Sequence, residues 1–250
     1  MPFTFSHPAI VIPLKKWKPG WFSYSGLVIG SMSPDMLYFI QMDGEADYGH
    51  SLPGIFMFDI PFTLLATVFF HRWLRNILIL YLPSPLNRKY AKYLPLNVFP
   101  FLRRKWYVVG LSGFIGAVSH ILWDQVGSVQ GWVYQQDPQF FEKHVQIGFI
   151  SLELYVFIEY LWSVLGLLFI GWVVFQEKEE FAIKQVSALS KFYFWFSILF
   201  VTGAVIIIKL LADPQPYSLG SLFVIGISGF FLALLISCFL FSFSRSAKKI

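Results

Sequence analysis

Two side chains in the segment SHILWDQ have the types and the spacing that a metal site requires. His120 and Asp124 are four residues apart, so on a helix both lie on one face. Imidazole nitrogen and carboxylate oxygen together suit zinc or another divalent cation. A structural hydrogen bond between the two side chains would use the same spacing, and the pair alone favours neither interpretation.

Two further acids lie in apolar segments, close to prolines. Asp35 follows Pro34 and several small residues, and Asp59 precedes Pro61. Proline frees a backbone carbonyl, so both acids are predicted to lie beside irregular helix geometry. A carboxylate in hydrocarbon is costly unless it has a partner or a cation. Each acid is therefore a candidate ligand or catalytic group, and a hydroxyl partner across the bundle is the alternative.

His7 and His50 are the other candidate ligands. Ser6 and Pro8 have the residue types of a helix cap and a first-turn proline, which predicts a short helix over His7–Lys18. With its lysines at the membrane surface, that helix would be a re-entrant element that carries His7 deep into the bundle. His50 lies just ahead of an apolar segment in GHSLPG, where a histidine taken alone would more often be solvated.

The remaining two histidines are predicted to lie outside the site. His71 is twelve residues from Asp59, which is about 18 Å along a straight helix. His144 lies in a polar loop, where a solvated side chain is the ordinary case.

The composition is that of a membrane protein. Apolar residues make up 56% of the 250 residues and charged residues 13%, and the mean hydropathy is +0.62. A soluble domain carries about twice that share of charge, so lipid must solvate much of the chain. The lone Cys238 excludes a disulfide or a thiolate metal site within the chain. Six segments have the length and apolarity of spanning helices: Trp21–Gln41, Leu52–His71, Trp106–Gln125, Phe149–Phe175, Phe192–Leu211 and Leu219–Phe243.

These segments predict an all-α polytopic transmembrane bundle. It has about six spans, the re-entrant N-terminal segment and an interfacial segment that begins at Arg72. We expect one integral membrane domain over residues 1–250, with residues 1–145 as the metal-site half and residues 146–250 as the apolar helical half.

Basic residues fall in alternate connections between the six segments. They cluster at residues 15–18, 72–105, 178–191 and 245–249. The other connections are acidic or nearly neutral, so the basic side, with the C-terminus, is predicted to be cytoplasmic. Orientation explains the net charge of +5 better than nucleic-acid binding does.

This topology places six candidate residues in one layer toward the non-cytoplasmic face. They are His7, Asp35, His50, Asp59, His120 and Asp124. The layer predicts a site of nitrogen and oxygen ligands for one or two divalent ions, zinc among them.

Several blocks of the sequence resemble the bacterial domain-of-unknown-function family 4184. They are MPFTFSHPAIVIPL, LVIGSMSPDMLYF, GHSLPGIFMFDIP and GAVSHILWD, with LYVFIEYLWSVLGLL a less specific match. The SMSPD and SHILWD blocks are also similar to bacterial inner-membrane proteins described as metal-dependent hydrolases, whose motif order is like that of zinc-dependent phospholipase C. The resemblance implies an inner-membrane location, zinc ligation by the same six residues, and hydrolysis of a phosphoester such as a lipid. Relatives often carry an amide side chain at the position of Glu159, which leaves the role of the fourth span open.

A metal-dependent hydrolase acting on a lipid or lipid-linked phosphoester is the leading hypothesis. His7, His50, His120, Asp35 and Asp124 would bind the metal, and Asp59 would be a ligand or the general base. Intramembrane acids beside helix breaks are also typical of ion-coupled transporters. A non-catalytic scaffold with a structural polar cluster is the third hypothesis. Membrane lipids are the expected partners in each case.

Overall fold

Helices make up nearly all of the regular structure of this chain. The computed structural model describes residues 3–18, 20–43, 47–176, 181 and 186–246. The helices are α1 (Pro8–Trp17), α2 (Tyr24–Gly30), α3 (Met36–Gln41), α4 (Leu52–Tyr81), α5 (Leu86–Tyr90), α6 (Phe99–Gly127), α7 (Trp132–Gln136), α8 (Pro138–Phe141), α9 (Leu154–Gln176), α10 (Ala188–Ala212) and α11 (Leu219–Ser246). Strands β1 (His144–Ile147) and β2 (Ile150–Glu153) form an antiparallel hairpin.

Within the described residues, five helices are long and apolar enough to cross a membrane: α4, α6, α9, α10 and α11. The prediction of an all-α polytopic membrane protein is therefore confirmed. The basic stretches at residues 178–191 and 245–249, on which the predicted orientation partly depends, lie partly outside the described residues.

The remaining predicted span, Trp21–Gln41, is divided in two. Helix α2 ends at Gly30, a single 3₁₀ turn covers Ser33–Asp35, and α3 follows. The hydroxyl of Ser33 donates to the carbonyl of Gly30, so a side chain satisfies a backbone group that the helix leaves open. The division places Asp35 at a helix break, as the neighbouring proline predicts.

Helix α4 is longer than the sequence indicates. The predicted interfacial segment beginning at Arg72 is not a separate element, because α4 continues to Tyr81. Two wider π-helical turns, Ile55–Asp59 and Phe70–Leu74, interrupt its α-helical geometry. Such turns are frequent at functional sites, and the first of them ends on Asp59.

The chain divides into two compact units. The first comprises residues 1–36, 47–67 and 101–176, and the second comprises residues 37–46, 68–100 and 177–250. The second unit has an apolar core contributed by α4, α10 and α11, in which Phe194 and Ile198 are almost fully buried. The proposed division into a metal-site half over residues 1–145 and an apolar half over residues 146–250 stays a prediction.

In the first unit, glycines bring α2 and α6 into close contact. A Cβ atom on Gly30 would lie 2.5 Å from the backbone of Gly113, and one on Gly116 would lie 2.5 Å from the backbone nitrogen of Ser31. Only glycine permits backbones to approach this closely. This contact packs the C-terminal end of α2 against the face of α6 that carries the candidate ligands.

Candidate metal centre

The last two turns of α6 supply the pair that the sequence singles out. His120 is fully buried and Asp124 is almost so. Their side chains lie on one face of the helix, with Nε2 of His120 3.2 Å from a carboxylate oxygen of Asp124.

Asp35 and His50, each next to a helix break, lie close to His120 and Asp124. Nε2 of His50 and Nε2 of His120 each lie 3.4 Å from one carboxylate oxygen of Asp35. The other oxygen of Asp35 accepts a hydrogen bond from the hydroxyl of Thr4. Nε2 of His50 is also 3.7 Å from Asp124, so the two acids and the two imidazoles form one cluster.

His7 completes the cluster from the N-terminal side of α1. Its ring stacks on that of His120, with centroids 3.7 Å apart and planes inclined by 16°. Its Nε2 lies 3.6 Å from Asp124. The segment that carries His7 is held against α9, because the backbone N–H of Phe3 donates to the hydroxyl of Ser163 and a Cβ on Gly166 would meet Ser6 at 2.8 Å.

A backbone contact sets the tautomer of His120. Its Nδ1 lies 2.8 Å from the carbonyl oxygen of Ser31, which can only accept a hydrogen bond. Nδ1 therefore carries the proton in the neutral ring, and the lone pair on Nε2 faces Asp35 and Asp124. A backbone carbonyl that accepts from the other ring nitrogen commonly orients a metal-binding histidine in this way.

The spacing of these atoms is that of ligands around a metal ion. Among the residues that the structure describes, two sets have all their ligand atoms within 4.8 Å of one another: His7 with Asp35 and His120, and His50 with His120 and Asp124. Two ligands bound to zinc at 2.0–2.1 Å in tetrahedral geometry are about 3.3 Å apart, which falls among the observed separations of 3.2–3.7 Å. When the imidazoles are neutral, as metal ligation requires, the two carboxylates leave two negative charges for a cation to balance. These buried groups could therefore hold a metal ion.

Asp59 lies beside the cluster but in neither set. It is fully buried and interacts electrostatically with His50, His120 and Asp35. One and two turns further along α4 are Thr63 and Thr67, which are fully buried as well. Within the described part of the chain, the hydroxyl oxygens of Thr63 and Thr67 lack partners with ordinary hydrogen-bond geometry, whereas the carboxylate of Asp59 interacts with the hydroxyl of Ser33. Asp59 thus begins a line of buried polar side chains in the first half of α4.

The two histidines that the sequence sets apart lie elsewhere. Nδ1 of His71 is 3.3 Å from the guanidinium of Arg75 in the second unit. His144 is exposed on β1, where its Nδ1 is 3.2 Å from the hydroxyl of Ser151.

Three contributors are not evident from the sequence. Thr4 bonds to Asp35, Ser31 orients His120 through its backbone, and the indole of Trp123 lies 5.8 Å from the ring of His7. No pattern marks the first two, since an isolated threonine or serine carries no signal of its partner. Trp123 adjoins Asp124 in the chain, and a tryptophan in SHILWD could have been suspected from that position alone.

The family model described as domain of unknown function (DUF4184) matches residues 1–239. The chain belongs to this family. The DUF4184 match covers every residue of the cluster and confirms the predicted resemblance to the domain-of-unknown-function family. No curated protein and no solved structure matched the chain. The further similarity to metal-dependent hydrolases stays a prediction.

Proposed function

We propose that this DUF4184 protein is a membrane-embedded, metal-dependent hydrolase of a lipid or lipid-linked phosphoester. The observation that carries the proposal is the approach of three imidazole Nε2 atoms to two carboxylates, at 3.2–3.7 Å, inside a protein with membrane-spanning helices. Zinc or another divalent metal suits this mixture of nitrogen and oxygen ligands.

Each residue of the cluster has a place in this chemistry. His7, His50, His120, Asp35 and Asp124 would bind one or two ions. A bound divalent ion supplies polarisation of a phosphoryl oxygen and acidification of a bound water. Asp59, buried beside the cluster, would orient that water and accept its proton or serve as a further ligand.

A lipid-like substrate is proposed from the surroundings of the site. The first unit exposes many large apolar side chains on α9, which is the surface expected of a helix in contact with lipid, so a bilayer-dissolved substrate would lie next to the protein. The order of the motifs is similar to that of zinc-dependent phospholipase C, which also acts on phosphoesters. The proposed setting is the bacterial inner membrane, with a cytoplasmic C-terminus and the site toward the outer face.

Metal content together with hydrolysis tests the proposal. Purified wild-type protein is expected to retain close to stoichiometric zinc by elemental analysis and to hydrolyse a fluorescent phospholipid in detergent micelles. His120→Ala and Asp124→Ala should lose both properties, whereas His144→Ala, a change at an exposed histidine, should lose neither. A folded wild-type protein that binds no divalent metal would refute the proposal of a metal-dependent hydrolase.

An ion-coupled transporter is the second candidate, favoured by the line of buried oxygens at Asp59, Thr63 and Thr67. Carboxylate and hydroxyl oxygens along a spanning helix are the groups that carry ions or protons through membranes. Proteoliposome flux that is abolished by Asp59→Asn, in protein without hydrolytic activity, would favour this candidate over the first.

A further inference from the structure

The β-hairpin between α8 and α9 has one apolar face and one polar face. Pairing of Val145 with Leu152 and of Ile147 with Ile150 places four apolar side chains on the same side of the ribbon. The opposite side carries His144, Gln146, Ser151 and Glu153. This regular alternation fixes the register of the hairpin and is typical of a ribbon whose apolar face is buried against another surface.

Protein covers only the base of the apolar face. Val145 and Leu152 are partly buried, whereas Ile147 and Ile150 remain 48% and 58% exposed. At the tip, Phe149 is 108% exposed, which means that its ring makes almost no contact with the rest of the described chain. The distal half of the face and the tip therefore form one uncovered apolar surface.

The hairpin by itself has little to stabilise it. A two-stranded ribbon of four residues per strand is at best marginally stable in water, and its closing turn requires Gly148 at φ +59°. The ribbon gains little from polar contacts, of which the approach of Ser151 to His144 is one. Burial of the three exposed apolar side chains would supply the missing stabilisation.

The uncovered apolar surface lies next to the start of α9, a helix of membrane-spanning length. Strand β2 runs into α9 without a linker, and the N–H of Leu154, the first residue of α9, donates to the carbonyl of Lys143 at the base of the hairpin. Helix α9 has spanning length and exposes Tyr160, Trp162 and Leu165 along its surface. The hairpin tip, about 13 Å from its base, is therefore within reach of the lipid that surrounds α9.

We propose that Ile147, Phe149 and Ile150 insert into the bilayer surface next to the start of α9 and that phospholipid is the partner of this hairpin. The polar face then lies toward water, as in other interfacial amphipathic elements. This anchor does not depend on the proposed hydrolase, since its test measures immersion in lipid and not turnover.

Site-directed spin labelling tests the proposal in the full chain. Phe149→Cys in a Cys238→Ala background gives a single labelling site, because Cys238 is the one native cysteine. In phospholipid vesicles, a nitroxide at position 149 is expected to be relaxed more strongly by oxygen, which dissolves in lipid, than by a water-soluble nickel complex. Should Cys238→Ala fail to fold, the native background serves, provided that the buried Cys238 thiol of wild-type protein takes up no label.

A label at Ser151, on the polar face of the same hairpin, is the matched control. A nitroxide at position 151 is expected to be relaxed by the nickel complex at least as strongly as by oxygen. Equal nickel accessibility at positions 149 and 151 would overturn the proposal. Spin–spin broadening at position 149 that disappears on dilution with unlabelled protein would overturn it too, because a second copy of the chain would then be the cover.

Discussion

At the scale of single residues, the candidate metal centre depends on groups that are not themselves candidate ligands. Thr4 donates to Asp35, and the carbonyl of Ser31 fixes the proton of His120 on Nδ1. Both contacts aim ligand atoms into the cluster before any ion binds. The candidate ligands could be predicted from residue type and predicted depth, whereas these partners could not, because partner choice depends on how each helix is rotated.

Thr4→Val is expected to weaken zinc binding by about tenfold, since loss of a hydrogen bond to a metal-binding carboxylate typically reduces metal affinity by this order. The variant keeps the side-chain volume and removes the donor to Asp35. Competition with a fluorescent zinc chelator measures the affinity. Thr202→Val is the control, because its hydroxyl bonds to the carbonyl of Ile198 in its own helix, and it should leave the affinity unchanged. Equal affinities for the two variants would remove Thr4 from the centre.

At the scale of elements, breaks and close contacts position the ligands. Asp35 follows the end of α2, His50 precedes α4, and the π-helical turn in α4 ends on Asp59. The sequence indicates irregular geometry near Pro34 and Pro61, but it does not show where a helix resumes. It also does not show that α4 continues past Arg72, since that basic residue resembles the end of a span.

Gly30→Ala is expected to lower the free energy of unfolding by about 1–3 kcal/mol, which is typical of overpacking. Its Cβ would lie 2.5 Å from the backbone of Gly113, so α2 and α6 must move apart and Ser31 must move away from His120. Zinc affinity should fall with stability. Chemical unfolding in detergent, together with zinc titration, measures both.

Gly203→Ala is the matched control for this change. It lies in spanning helix α10, and a Cβ there would meet nothing within 4 Å. Alanine favours a helix over glycine, so the control should be neutral or slightly more stable. An equal loss of stability in both variants would mean that the contact between α2 and α6 is not tight.

At the scale of the whole molecule, spanning length and hydropathy made most of the fold predictable. A run of about twenty apolar residues has few alternatives to a transmembrane helix, and five of the six predicted spans are found as long apolar helices in the described residues. The remaining one, Trp21–Gln41, is broken at Ser33–Asp35. The stacking of His7 on His120 is harder to predict. It depends on contacts between the N-terminal segment and α9, and α9 contributes no residue to either ligand set, so nothing in its sequence points to the site.

Metal binding is expected to stabilise the folded protein as a whole. The ligands come together only in the folded state, so zinc at about one hundred times its dissociation constant should add about 2.7 kcal/mol to stability. Thermal unfolding in detergent should occur at a higher temperature with zinc and at a lower one after treatment with a chelator. In Asp124→Asn, which removes one ligand charge, the two temperatures should lie closer together. A wild-type midpoint that is insensitive to both treatments would argue against a preformed metal site.

The hold of α9 on the N-terminal segment also has a consequence for biogenesis. His7 is made before Ser163 and Gly166, which hold its segment in place. The centre therefore cannot be completed until α9 has left the translocon and packed beside the earlier spans. Until then His7 lacks the contacts that hold it beside Asp124, so the set of His7, Asp35 and His120 forms only after α9 is inserted, whereas the set of His50, His120 and Asp124 needs no residue of α9.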